Sequence, residues 1–227
     1  GNRQEYRYRV TTSPMVQELD GKTLISVGTA HGDLTGLEPE RQYADNGFFV
    51  IQDKGTTYTE WKSRFTGEIT ASPIFVEAGI KKIVGMENTL ESSNKIINIE
   101  FNEDLSDATI NRTVLVRYGV ASSPSYRYED GKHYVYFIDR EGVLYKVDIE
   151  SNERVWQKEY ATGNTRALEG FTIGDKYVFA AIRHFHTRST GGNGAVLAID
   201  KKTGILVKTI NLSDSIRNDV LYWRPDP

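Results

Sequence analysis

Internal repetition constrains this chain more than any other feature. The stretch Gly142 to Trp156, Gly-Val-Leu-Tyr-Lys-Val-Asp-Ile-Glu-Ser-Asn-Glu-Arg-Val-Trp, has recognisable copies elsewhere. Gly142 is followed six residues later by Asp148, and the pair recurs as Gly194 with Asp200, 52 residues on, and as Gly47 with Asp53, 95 residues earlier. The larger shift is about two periods. Trp61 and Trp156 each lie eight residues beyond their Asp, and Lys208 takes that place in the last copy. A second marker, Ser13-Pro14, Ser72-Pro73 and Ser123-Pro124, opens three of the repeats, whereas the fourth lacks it and begins near Gly170. A fixed period of roughly 40 to 50 residues is the mark of propellers and solenoids.

Each repeat reads as four short strands, A to D. In the third, A is Ser125 to Tyr128, B is His133 to Ile138, C is Val143 to Asp148 and D is Arg154 to Glu159. Asp130-Gly131, and Asp20-Gly21 in the first repeat, suit two-residue hairpins between A and B, because both central residues need positive φ. Gly79 and Gly174 hold the corresponding turns in the second and fourth repeats. The second repeat is degenerate: it lacks the Gly/Asp pair, and its strands C and D are expected at Lys95 to Phe101 and Arg112 to Tyr118. No helix-period segment intervenes. The expected fold is all-β, a β-propeller of four-stranded antiparallel blades, with repeats over about 12–66, 71–119, 122–161 and 168–212 in one domain or propeller segment spanning 1–227. Tyr6 to Val10 reads as the D strand of a preceding partial blade, and Asp219 to Trp223 as the A strand of a following one.

Composition removes several function classes. With 28 Lys and Arg against 31 Asp and Glu, the net charge of −3 supplies no field to gather nucleic acid. No apolar run approaches the roughly 18 residues of a membrane span. The absence of Cys excludes disulfides, Cys-ligated zinc and thiol catalysis, and fits a reducing or an oxidising compartment equally. The start at Gly1 suits a processed mature protein or a trimmed chain. No Ser-His-Asp arrangement, phosphate loop or paired-carboxylate motif can be read from spacing.

At Gly-x-Leu-Tyr-x-Val-Asp-x-x-Ser-Asn-x-x-x-Trp and Gly-x-Val-Leu-Ala-Ile-Asp-x-x-Thr-Gly, preceded by the Ser-Pro openings, the chain resembles the pyrroloquinoline-quinone-type (PQQ-like) propeller repeat family. That family holds quinoprotein dehydrogenases and also cofactor-free scaffolds, among them the lipoprotein propeller of the outer-membrane barrel-assembly machinery. Resemblance to the dehydrogenases implies a quinone stacked on a Trp, a vicinal Cys pair, a calcium held by carboxylates and an Asp base. The Cys pair is absent and no calcium ligand or base is assignable, so neither PQQ nor calcium is expected. Resemblance to the scaffolds implies a periplasmic or extracellular protein, with any lipid anchor outside these residues. The repeat residues themselves read as structural: Asp148 hydrogen-bonds backbone in the C to D turn, Asn152 and Gly204 take the left-handed position there, and Trp156 packs between blades.

Function is then sought where the repeat is interrupted. The B to C connections are long in three repeats, about Ala30 to Asn46, Glu87 to Asn94 and Arg183 to Asn193, and tight only at Asp139 to Gly142. Loops can vary while the scaffold holds, so the B to C face is the expected binding surface. Its sharpest candidate is Arg183-His184-Phe185-His186-Thr187-Arg188. His184 and His186 share one side of a continuing strand, but no third metal ligand is evident. Arg183 and Arg188 suit a carboxylate or phosphate on a partner. The leading expectation is a non-enzymatic scaffold that binds a protein or peptide through this face. The alternatives are a fragment of a quinoprotein oxidoreductase and a carbohydrate-binding propeller of a secreted enzyme.

Overall fold

The computed structural model of the chain describes residues 8–10, 12–19, 21–31, 46–65, 69, 71–76, 82–87, 94–102, 107–116, 119–120, 123–139, 142–160, 165–184 and 194–213. All regular structure among them is β-strand, arranged as four antiparallel sheets of propeller-blade construction. The chain divides into two compact units, Gly1–Pro124 and Ser125–Pro227, each holding two sheets.

In the first unit, blade one comprises β1 (Tyr8–Val10), β2 (Met15–Leu19), β3 (Lys22–His31), β4 (Asn46–Asp53) and β5 (Tyr58–Phe65). Blade two comprises β6 (Ile74–Val76), β7 (Lys82–Glu87), β8 (Asn94–Phe101) and β9 (Ala108–Val116). The second unit holds blade three, β10 (Ser125–Glu129), β11 (Lys132–Ile138), β12 (Val143–Asp148) and β13 (Glu153–Glu159). Blade four is β14 (Thr165–Ile173), β15 (Tyr177–His184), β16 (Gly194–Asp200) and β17 (Leu206–Leu212). The four strands β2–β5 of blade one, and the four strands of each other blade, pair in chain order as a meander, while β1 joins blade one by pairing with β3.

The turns form for the reasons the sequence suggests. Asp130 and Gly131 sit at φ 49° and 81° between the paired residues Glu129 and Lys132, as a two-residue hairpin requires. The repeat Asp residues close the C to D turns. Asp148 Oδ1 accepts the Glu150 and Ser151 amides at 3.0 and 3.3 Å, and Asp200 Oδ1 accepts those of Lys202 and Thr203 at 3.1 and 2.8 Å. Asn152 (φ 56°) and Gly204 (φ 69°) adopt the left-handed conformation that ends these turns.

Two expectations shift. Tyr8–Val10 pairs antiparallel with Thr29–His31 of β3, beside the stretch of β3 that pairs with β2, so in this structure it lengthens the A edge of blade one instead of standing as the D strand of another blade. In the second repeat, strand D begins at Ala108, not Arg112. Asn102 and Asp107 close the shorter turn through an Asn102 amide to Asp107 carbonyl bond at 3.0 Å and an Asp107 amide to Asn102 Oδ1 bond at 3.2 Å. Ala108 and Ile110 extend the strand because they pack on the core of the first unit. The expected strand at Asp219 to Trp223 and the turn glycine Gly79 lie outside the described residues.

Each unit is held by burial of facing sheets. In the second, Tyr136, Ile138, Leu144 and Trp156 of blade three pack on Phe171, Ile173, Val178, Ala180, Ile182, Leu197 and Ile199 of blade four. Trp156 lies over Gly204, where an added Cβ would sit 2.9 Å from the indole ring, and its Nε1–H donates to the Lys201 carbonyl at 3.2 Å. In the first unit, Leu24, Phe48 and Val50 face Phe75, Ile83, Ile97, Ile99 and Phe101, with Trp61 edge-on to Phe101 at 5.7 Å. The Ser-Pro markers join these blades: the Ser13 amide donates to Ser72 Oγ at 3.0 Å. Gly85 allows the closest approach, because a Cβ there would fall 1.8 Å from Phe48 Cζ.

That clearance makes a direct prediction. Gly85→Ala should lower the unfolding free energy by about 1–3 kcal/mol through overpacking, measured by denaturant titration. Phe48→Leu in the Gly85→Ala background should recover part of the loss, whereas Phe48→Leu alone should cost stability by leaving a cavity.

Candidate functional site

The B strands end in polar residues. In blade three the tight connection is locked by Asp139, which is buried: its Oδ1 accepts the Val143 amide at 3.0 Å and its Oδ2 accepts the Tyr145 hydroxyl at 2.8 Å. Gly142 completes this turn at φ 82°, its amide donating to the Asp139 carbonyl at 3.0 Å. In blade two, β7 ends at Glu87, which is also buried. In blade four, β15 ends at Arg183 and His184, immediately before the connection 185–193.

The backbone register there adds a residue that sequence reading missed. Arg166 of β14 stands directly opposite Arg183, and Thr165 opposite His184. Register shifts between Arg166 and Leu168 and between Leu168 and Gly170 interrupt β14 beside this position. Bulges of that kind re-aim side chains and are over-represented next to functional sites. Arg166 carried no signal in the sequence because cross-strand opposition depends on register, and the bulges break the alternation from which register is inferred. Of the expected site residues, Arg183 and His184 are therefore placed at the end of β15, while His186 and Arg188 lie outside the described residues. Among the described residues no group of three or more metal-ligating side chains converges.

A second polar cluster lies at the opposite end of the strands in the second unit. The Glu129 carboxylate, largely buried, accepts Lys146 Nζ at 2.9 Å, Lys201 Nζ at 3.2 Å and the Tyr136 hydroxyl at 3.0 Å. Lys146 Nζ also sits 3.9 Å above the Tyr134 ring. Burial, with the Glu129 charge second, pushes the Tyr136 hydroxyl above its usual range. Burial does the same to Tyr160, which donates to the Gly204 carbonyl at 2.7 Å. Because Lys201 belongs to the C to D turn of blade four, the cluster clasps the two blades of the unit together. Each of its charges is engaged, so its role is structural. Nearby, the buried His133 shares a 2.8 Å hydrogen bond with the Tyr126 hydroxyl through Nδ1 and lies against the exposed Tyr128 ring.

Trp61 and Trp156, the two described tryptophans, are both committed to packing. Trp156 is covered by Tyr136 and Gly204, and Trp61 by the core around Phe101.

Removing Lys146 strips one partner from a buried carboxylate. Lys146→Ala should therefore cost about 3 kcal/mol or more, and the paired replacement Lys146→Met with Glu129→Met should recover much of that loss in denaturant unfolding. Alkaline pH provides a separate check. Unfolded tyrosines ionise near the ordinary value of 10.0, whereas Tyr136 and Tyr160 stay protonated in the fold to higher pH. Their contribution is intact below about pH 10 and is lost as pH rises beyond it. Stability measured from pH 8 to 11 should fall above 10, and Tyr136→Phe should flatten that fall by up to about 1.4 kcal/mol per pH unit.

No model of a known protein family matches the chain, and no curated protein matches it in sequence. Solved structures do. The chain is similar to Citrobacter koseri AztD at 12% identity with a TM-score of 0.51, covering 90% of this chain and 60% of that one. It also aligns with a europium-containing methanol dehydrogenase at 13% identity, TM-score 0.42, covering 61% of this chain and 24% of the enzyme. A third match is the Cps50 (Swd1) β-propeller domain of Myceliophteria thermophila at 9% identity, TM-score 0.37, covering 90% and 89%. The chain thus spans about 60% of AztD and a quarter of the dehydrogenase. At these identities the likeness bears on the fold alone.

Proposed function

We propose that this chain is a non-enzymatic propeller scaffold of the PQQ-like repeat type, located outside the cytoplasm, and that it binds a protein or peptide partner through the B to C end of blade four. The observation that carries this reading is the opposition of Arg166 and Arg183 at one register position, next to the bulges of β14 and the connection 185–193. Two arginines at one register position of a strand end supply the positive charge that an anionic ligand requires, and Arg188 follows within the same connection. Arginine matches a carboxylate bidentately, so an acidic segment of a partner protein is the ligand chemistry that fits best. The resemblance to scaffold propellers, with their extracytoplasmic setting, supports the same reading. So does the contrast with the other end of the second unit, where the charged groups are consumed in holding blades together.

Three measurements separate this from a quinoprotein fragment. Arg166→Gln with Arg183→Gln should abolish capture of an acidic peptide library while leaving the melting temperature unchanged. Undiminished capture would remove the assignment. Replacing 185–193 by a four-residue turn like 139–142 should have the same effect on binding. Added pyrroloquinoline quinone and calcium should leave the melting temperature unchanged at saturation, whereas a rise would favour the oxidoreductase reading, because a ligand selective for the native state must stabilise it.

A further inference from the structure

The outer strands of blades three and four, β13 and β17, occupy equivalent places and differ in one respect. Lys158 of β13 pairs with Leu144, and Ile210 of β17 pairs with Val196, so the two residues are counterparts. Both strands carry the same one-residue bulge, at Val155 and at Val207, followed by an uninterrupted run. In β13 that outer strand is Glu153-Arg154-Val155-Trp156-Gln157-Lys158-Glu159, charged at four positions, with only Trp156 buried. In β17 it is Leu206-Val207-Lys208-Thr209-Ile210-Asn211-Leu212, with every residue exposed and a single charge. Ile210 is 43% exposed, Val207 54% and Leu212 37%. Among the described residues β17 has no neighbour beyond β16.

A free strand edge is a template for another strand, and natural proteins blunt it with charge. The two strands behave oppositely under self-pairing. If each strand is laid antiparallel on its own copy about the counterpart position of Lys158 and Ile210, β13 brings Lys158 against Lys158. When the whole strand is overlapped about Trp156, Glu153 meets Glu159 and Arg154 meets Lys158. Each of these is a like-charge contact that opposes association. In β17 the corresponding register about Ile210 sets Ile210 against Ile210, Thr209 against Asn211 and Lys208 against Leu212. No like charges meet, both runs pair in full, and an exposed isoleucine is buried on its symmetry mate.

From this we infer that β17 is a self-association edge: two copies of the chain join blade four to blade four through antiparallel β17–β17 pairing about Ile210, forming an eight-stranded sheet across a twofold axis. A closed twofold contact of this kind satisfies the edge in both copies at once, which an open head-to-tail arrangement does not. The contrast with β13 supplies the choice of occupant, because of these two strands the apolar one is the one free of self-repulsion in this register.

Sedimentation velocity over a concentration series tests it. The chain should show a reversible monomer–dimer equilibrium. Ile210→Lys, which installs the residue β13 already carries at this position, should weaken dimerisation by at least about tenfold, and so should Ile210→Glu. Circular dichroism and an unchanged melting profile of the monomers would show that both variants fold. Mixing the two variants should restore a heterodimer, since Lys then meets Glu at the axis, an outcome that a merely structural defect in either variant does not give. A wild-type chain that is monomeric at every concentration would overturn the proposal. So would a dimer that survives Ile210→Lys and Ile210→Glu, and so would a mixture that fails to re-associate.

Discussion

Burial of a sheet face on its neighbour is the interaction on which the rest of this structure depends. A four-stranded meander has two faces and no helix to cover either, so it is stable only against another sheet. In the second unit that contact is centred on Trp156. Its indole covers apolar residues of blade four, spends its N–H on the Lys201 carbonyl, and fits because Gly204 presents no side chain. In the first unit Phe48 and Gly85 make the same kind of complementary pair, with the aromatic again on the earlier blade and the gap on the later one. Glycine at both places answers a steric demand from another blade. At Gly204 the turn adds a second demand, a positive φ.

The polar elements follow from that arrangement. Once blades three and four are pressed together, the chain near their turns must place charged residues at low exposure, and it does so as a closed set. Glu129 receives two ammonium groups and a phenol, and Lys146 is shielded by Tyr134. A set of this kind is weak evidence for extra stability, because desolvation offsets much of the attraction, but removing one member exposes the cost of the others. It sits at the A to B and C to D turns, whose tightness is enforced by Asp130-Gly131 and by the side chains of Asp148 and Asp200. The strand ends at the B to C connections carry unlike residues instead: a buried acid locks the tight connection of blade three, another ends β7 in blade two, and opposed arginines stand in blade four. Rigid turns at one end and variable connections at the other are how a blade offers a surface without loosening its core.

Much of this architecture was legible beforehand. The Gly/Asp/Trp period located the blades, the alternation within the third repeat placed all four of its strands to within a residue or two, and Asp130-Gly131 announced its hairpin. The second repeat is less legible. Without a Gly at its C to D turn, the local pattern starts strand D four residues late, because Ala108 and Ile110 belong to the strand through packing that no local signal reports. Tyr8–Val10 had strand character but no indicated partner, and its pairing with β3 is a long-range choice. The candidate site was half legible: Arg183 and His184 stood out as an interruption of the pattern, whereas Arg166 did not. Glu129, Lys146 and Lys201 likewise gave no sign of meeting, since they lie 17 and 55 residues apart along the chain.

By itself the sequence determined the repeat, the strand alternation and the turn chemistry, because each is fixed by residues close together in the chain: a glycine where φ must be positive, an Asp two or three residues before the amides it accepts, and side chains alternating with the pleat. The tertiary structure alone decided which faces meet, which charges share a carboxylate, which arginines oppose each other and which outer strand is left apolar. Those depend on register and on contacts between distant blades. Register slips by one residue at every bulge, at Val155, at Val207 and along β14, without leaving a mark in the local pattern.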